Sequence, residues 1–366
     1  MVDKKTWGIP PALRQSRESP RNARAVNFVV KKLSIMKRKA ETKVEVKIKK
    51  QRNCRRNHGV NWVRGELIGR GRYGSVHLAT STKPITRFGR RPEIMVVKSS
   101  NGVPCLRSVQ HEAEVLIKLK GCPSVIECFG GQFTADENGE KVYNLFLEYA
   151  SGGSLDHLIK KSDGCGLPES EVRWYTKSIL EGVKHIHQCD YVHCDLTPEN
   201  ILLVPTTTSC GSTSLVAKIA DFGLAKRTKE KVGGSGCRGS PMYLSPEALL
   251  DKLQDQPSEI WSVGCIVLEM LTGKPPWDTS YCWKPQDFLN MLVFDSPKIP
   301  AKISKEGRDF LKICLAFNPC KRLTAEELLS HPFIAQSIPP EEDNGASQSD
   351  TASVTLSSSS EEVTVL

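Results

Sequence analysis

Short β-branched apolar runs alternate with Gly-containing turns through the first third of the well-patterned chain. They predict strands over 62–69, 74–80, 93–98, 125–133 and 142–148. One stretch breaks that rhythm. Val109, Glu112, Val115, Leu116 and Leu119 recur at helical spacing and predict a helix near 107–120. From residue 154 onward helices dominate. Over 171–187, Val172, Tyr175, Ile179, Val183 and Ile186 form one apolar stripe. The run "VGCIVLEML" (263–271) is far shorter than the ~20 apolar residues needed to span a bilayer. It also carries Glu269, so it reads as a buried core helix. A strand-rich part followed by a helical part predicts an α+β architecture: a small β-rich lobe (61–150), a larger helical lobe (151–334) and a cleft between them.

The flanks lack this patterning. Residues 1–60 have no sustained apolar period, and 335–366 are dominated by Ser, Thr, Pro and acidic residues, as in a disordered tail. Charge separates the regions further. Of the net +10, residues 1–64 hold 19 Lys/Arg against 4 Asp/Glu, leaving 32 against 37 for the remainder. The basic arm reads either as a disordered tail or as a nuclear-localisation segment of spaced basic clusters. Interleaved aromatics for base stacking are missing, which argues against nucleic acid as a partner. The first residues carry no apolar signal core, so a nuclear and cytoplasmic location is expected. Among 13 cysteines no C-x-x-C pair occurs, and His185 and His187 point to different helix faces, so neither residue type predicts a metal centre.

Candidate chemistry gathers in the middle of the chain. In "GRGRYGSV", Gly69, Gly71, Gly74 and Val76 form a G-x-G-x-x-G-x-V run, which lets backbone amides approach phosphates closely. A strand follows it, unlike the helix that follows a dinucleotide-binding turn. Lys98 ends the strand "MVVK", and an ammonium there needs a carboxylate to hold it against phosphates. Glu112 borders the packed face of the next helix; its rival Glu114 lies two residues round. "YVHCDLTPEN" then gives Asp195 and Asn200, and "IADFGLAK", after an apolar strand, gives Asp221, Phe222 and Gly223. A carboxylate can orient a nucleophile, while an amide and a second carboxylate can hold divalent cations that bridge phosphates. Any one of these alone reads as a loop-capping residue.

Together and in this order the motifs resemble the eukaryotic protein-kinase domain over residues 61–334. Downstream, "GSPMYLSPEAL" (239–249) resembles the end of an activation segment, and Arg322 is a plausible ion-pair partner for Glu247. Within that family, "LEYASGGSL", the "HCD" loop and "KRLTAEELLSHPF" are most similar to plant mitogen-activated protein kinase kinase kinases. The resemblance implies the bilobal kinase fold, ATP and Mg2+ as cofactors, and a MAP kinase kinase as protein substrate in a stress or hormone cascade. It implies Lys98, Glu112, Asp195 and Thr197 as the catalytic positions, with Asn200 and Asp221 for the metal. Leu147 takes the gatekeeper place, with the backbones of Glu148 and Ala150 beside adenine and Ser154 near the ribose. Val76, Val96 and Leu202 would sandwich the adenine ring, and His193 would pack on Phe222.

Three positions depart from the family pattern. Cys194 replaces an arginine that docks an activation-loop phosphate, and a thiol makes no bidentate charged contact. The hydroxyls of that segment are Thr228, Ser235 and Ser240. Thr197 replaces a lysine near the γ-phosphate, a loss of ~10²–10³ in rate by analogy with deleting one electrostatic donor. Glu259 replaces an aspartate that anchors the catalytic loop, and its extra methylene is expected to shift that anchor. Two classes stay open: an active serine/threonine kinase, which the retained phosphate and metal groups favour, and a catalytically weak, kinase-shaped interaction protein.

Overall fold

A computed structural model of the chain describes residues 58–335 apart from 60, 72, 83–84, 87–88, 91, 101, 137, 208–212, 231–236 and 279–284. Nearly all of the basic arm and the tail from 336 lie outside the described residues, as does Ser235.

The predicted strands form one antiparallel sheet. Strands β1 (Trp62–Arg70), β2 (Gly74–Ser81), β3 (Ile94–Ser100), β4 (Cys128–Ala135) and β5 (Lys141–Leu147) lie in the spatial order β1-β2-β3-β5-β4. A two-residue strand, His58–Gly59, adds to the outer edge of β1. Helix α1 (Val103–Lys118) crosses from β3 to the cleft side of the sheet. The period-two alternation of strands decides what each residue of β3 faces. Met95 and Val97 turn outward into a small core with Trp62, Ala79 and Phe146. Val96 and Lys98 turn the other way, toward α1 and the cleft.

The second lobe is helical. It comprises α2 (Leu155–Lys161), α3 (Glu169–Gln188), α4 (Pro246–Leu250), α5 (Gln256–Thr272), α6 (Pro285–Phe294) and α7 (Lys305–Cys314), with short helices to Ala335. All five residues of the predicted stripe on α3 are buried. Helix α5 is the spine of the lobe. Asp255 caps its start in a reciprocal box with Ser258, and Gly273 ends it in a left-handed turn at φ 68°. Between those ends almost every side chain is buried, as expected of "VGCIVLEML". No helix among the described residues is long and apolar enough to cross a membrane.

One element, β6 (Ile201–Thr207), departs from the helical expectation for this lobe. The apolar strand expected before Asp221, β7 (Thr213–Ile219), pairs antiparallel with it. Pro205 and the polar run after it hide the strand period, yet the apolar starts and ends pair in register, Ile201 with Ile219 and Leu203 with Ala217. This hairpin places Asn200 and Asp221 at its two open ends, side by side across the cleft floor.

Candidate active site

The site begins at β3. Lys98 is 7% exposed, and its Nζ lies 2.6 Å from Glu112 Oε2 and 2.9 Å from Asp221 Oδ1. Glu112 is 1% exposed on the packed face of α1, whereas Glu114 is exposed, so the helical phase chose between the rivals. Burial alone would strip the proton from Lys98. The two carboxylates outweigh that and hold the ammonium above the ordinary lysine range. Burial likewise opposes ionisation of Asp221, but the adjacent Lys98 charge wins and keeps it below the usual carboxylate value. The cluster joins three elements from both lobes through one cation.

Asp221 has a left-handed backbone, φ 64° and ψ 70°. This turn drives Phe222 into the core, fully buried, while the carboxylate stays at the cleft. The Phe222 ring meets His193 edge to face, with centroids 4.7 Å apart. His193 Nδ1 accepts the Asp195 amide at 3.2 Å, so its Nε2 carries the proton and donates to the Ala220 carbonyl at 3.0 Å. His193 is therefore a neutral structural strut, as expected from the sequence.

The floor of the cleft holds the three unusual positions. Cys194 is buried, also at positive φ (66°), with its thiol turned to the Val192 carbonyl. Burial raises that thiol far above its ordinary value, so it stays neutral and offers no charge. Glu259 does not displace its anchor, contrary to the expectation from its extra methylene. One carboxylate oxygen accepts the amides of both His193 and Cys194, and the other bonds His187 Nε2 at 2.9 Å. The added reach is taken up by a residue of α3 that the sequence reading did not assign to the site. Its only sequence signal is a histidine one helical turn before the loop. Thr197 is 5% exposed and precedes the single turn Pro198–Asn200.

Asp195 faces this floor with two partners. Asn200 Nδ2 donates to its backbone carbonyl at 2.8 Å, and Ser240 Oγ donates to its carboxylate at 2.9 Å. Because the Asn200 amide nitrogen is committed inward, its oxygen is the end available to a cation. The Ala220 amide bonds the Asn200 carbonyl at 2.9 Å, which holds Asn200 next to Asp221. An amide oxygen beside an ionised carboxylate is a hard oxygen donor set, so the residues fit a divalent cation.

Above the floor, Val76, Val96, Leu147 and Leu202 pack against or within one apolar core, and Ser154 bridges to Leu202. Glu148 donates its amide to the Glu127 carbonyl, and its side chain pairs with Lys218 at 2.8 Å. The Ser154 hydroxyl caps α2 by accepting the His157 amide. The glycines of the first turn differ in their reasons. A Cβ on Gly74 would meet the Ser99 carbonyl at 2.2 Å, so sheet packing demands that glycine. At Gly69 and Gly71 a Cβ would find only ordinary contacts at 3.8 Å, which leaves close approach to a bound group as the use of their small size.

Further out, Arg322 holds Glu247 through two bonds of 2.6 and 2.9 Å, as the sequence suggested. A family model described as the protein kinase domain matches residues 62–334. Mitogen-activated protein kinase kinase kinase 20 of Arabidopsis thaliana is 40% identical over 284 residues, 75% of this chain and 78% of that protein. Mitogen-activated protein kinase kinase kinase 17 of the same plant is 36% identical over 278 residues, 75% of this chain and 70% of the relative. The longer mitogen-activated protein kinase kinase kinase 5 is 32% identical over 287 residues, which span 76% of this chain but 37% of that protein. With its two-lobed fold and this site, the chain belongs to the protein kinase family, as a serine/threonine kinase resembling the plant mitogen-activated protein kinase kinase kinases.

Proposed function

We propose that the chain transfers the γ-phosphoryl group of ATP to MAP kinase kinases in a stress or hormone signalling cascade. The observation that carries this reading is the Lys98 ammonium held between Glu112 and Asp221, in a chain similar over most of its length to mitogen-activated protein kinase kinase kinase 20. Phosphoryl transfer needs positioning and charge stabilisation more than covalent chemistry. Lys98 is assigned to the α/β-phosphates and Asp195 to the substrate hydroxyl. Gly69, Gly71 and Gly74 cover the phosphates. Val76, Val96 and Leu202 enclose adenine, with the Glu148 carbonyl and Ala150 amide at its edge and Ser154 by the ribose. Asn200 and Asp221 would hold magnesium, which when bound neutralises charge between the phosphates.

The rival reading, a weak kinase-shaped scaffold, loses one of its supports because Glu259 keeps both catalytic-loop amides. A radiolabelled-ATP assay on the purified protein, with recombinant MAP kinase kinases as acceptors and Asp195→Asn as control, tests the proposal. Label in those acceptors that vanishes in the control is expected. Label only in unrelated proteins would refute the substrate, and none at all would restore the scaffold. The basic arm further supports partial nuclear entry, with the rest of the protein cytoplasmic. Deleting residues 1–60 is expected to lower the nuclear fraction, and an unchanged distribution would refute it.

A further inference from the structure

The loss of charge at Cys194 leaves open what ties the segment after Asp221 to the catalytic loop. Three consecutive residues answer it. Arg238 Nη1 donates to the carbonyls of Leu224 and Ala225, each at 3.2 Å. Gly239 sits at φ 98° with its backbone so close to the catalytic loop that a Cβ would meet the Cys194 carbonyl at 2.2 Å. Ser240 bonds the Asp195 carboxylate. The run from 238 to 240 thus touches the metal-side segment, the catalytic-loop backbone and the catalytic carboxylate in turn.

Two further residues lock this arrangement. The Gln254 side chain accepts the Arg238 amide at 2.8 Å and donates to the Arg238 carbonyl at 2.7 Å, fixing the peptide from which the guanidinium projects. On the opposite side, His111 Nε2 of α1 lies 2.8 Å from the same Ala225 carbonyl that Arg238 holds. Both bonds leave one guanidinium nitrogen, Nη1, which holds the two carbonyls together at the end of the long Arg238 side chain. The chain of direct contacts therefore runs from α1, the helix carrying Glu112, through Ala225 to Arg238 and on to Asp195.

We propose that Arg238 is a positioning residue that aligns Asp221 with Asp195 by clasping the Leu224 and Ala225 carbonyls, the task a phosphate-docking arginine performs elsewhere. Gln254 sets the clasp, and no phosphate is part of it. The proposal rests on the kinase activity itself and not on the identity of the substrate, so its test uses a generic acceptor.

The full chain is treated with phosphatase, then assayed with ATP and myelin basic protein. Treated wild type is expected to retain at least about a third of its rate. Arg238→Gln is expected to lower kcat by about 10²-fold, the scale of a small misalignment of reacting groups, with the KM for ATP within about twofold. Its thermal midpoint should stay within about 2 °C of wild type, since the guanidinium bonds only carbonyls at a partly exposed place. Arg238→Lys should recover part of the rate, because an ammonium has donors enough for both carbonyls but ends short of the Nη1 position. A loss of more than about tenfold on phosphatase treatment of wild type would overturn the proposal. So would a kcat within about threefold of wild type for Arg238→Gln, or a fall in kcat matched by a fall in thermal midpoint. If Arg238→Gln proves insoluble, Arg238→Lys decides. A lower kcat at unchanged KM for ATP supports the clasp, and an unchanged kcat removes it.

Discussion

The two walls of the cleft are held by different physics. On the phosphate side, three charged groups from β3, α1 and the Asp221 turn meet within 2.9 Å at one buried ammonium. Both carboxylates depend on the same cation, so losing Lys98 removes the partner of each at once. The catalytic-loop floor is held chiefly through backbone groups. Glu259 grips two amides, Asn200 a carbonyl, and Gly239 packs on another carbonyl. Side chains there can be exchanged while the backbone stays put, and this is where Cys194, Thr197 and Glu259 have departed from the family pattern. Departures at the floor are therefore weak evidence against catalysis, while one departure in the charged cluster would be strong evidence.

The sharpest way to break that comparison is on the charged side. Lys98→Met is expected to reduce turnover by about 10³-fold or more, as loss of a central electrostatic donor does. Lys98 is more deeply buried than a lysine at an open polar cleft, so its removal also strands Glu112. Burial favours the neutral acid at Glu112 once the ammonium is gone, which limits the stability loss to about 1–3 kcal/mol. Steady-state kinetics and thermal unfolding check the two halves. Residual activity above about a tenth of wild type would show that the cluster is not the phosphate anchor.

On the floor, Thr197→Lys should have the next largest effect, with opposite sign. Restoring a cation beside Asp195 is expected to raise kcat by about tenfold, because its value grows as charge moves in the transition state. No gain would mean that a side chain at 197 does not bring its charge to the γ-phosphate. Glu259→Gln acts on stability instead of rate. The amide keeps one acceptor oxygen for the loop but loses the charge that three donors share, a stability cost of about 2–3 kcal/mol in urea unfolding. A cost below about 0.5 kcal/mol would show that the carboxylate charge adds little to holding the loop.

The charged side was legible in the sequence because each group sits at a fixed place in a strand or helix period. Lys98 lies on the cleft-facing phase of β3, two residues before the strand ends at Ser100, and the phase of α1 separates Glu112 from Glu114. Much of the floor was not legible. Bonds to backbone groups leave no residue signature, so nothing in "YVHCDLTPEN" points to Glu259, some sixty residues later, except the resemblance. His187 and Arg238 were invisible for the same reason: what they hold is a carboxylate and two carbonyls brought near by the fold. The apolar strand before Asp221, β7, was legible, whereas its partner β6 was hidden by Pro205 and the polar run after it, although their pairing is what sets Asn200 beside Asp221.

The smallest expected effect separates two glutamates of one helix. Glu259 and Glu269 both leave α5 for the floor, the first to backbone amides and the second to the Tyr243 hydroxyl at 2.6 Å. Tyr243 lies in the turn after Ser240, which α5 also holds through Ser262 to the Tyr243 carbonyl at 2.8 Å. Burial raises the Glu269 carboxyl to about 7, with the tyrosine bond opposing only part of the shift. A carboxyl whose folded value is raised takes up a proton more readily in the folded state. Stability is then fully present below the ordinary carboxylate range and falls as pH climbs toward about 7, levelling off above it. Glu269→Gln imitates the protonated acid and keeps an oxygen to accept from Tyr243. It should therefore leave stability unchanged at about pH 4 and raise it by about 1–2 kcal/mol at about pH 8, read as a rise in thermal midpoint. An equal difference at both pH values would mean that Glu269 stays ionised throughout. The two glutamates of α5 would then be held alike, and the contrast between them would disappear.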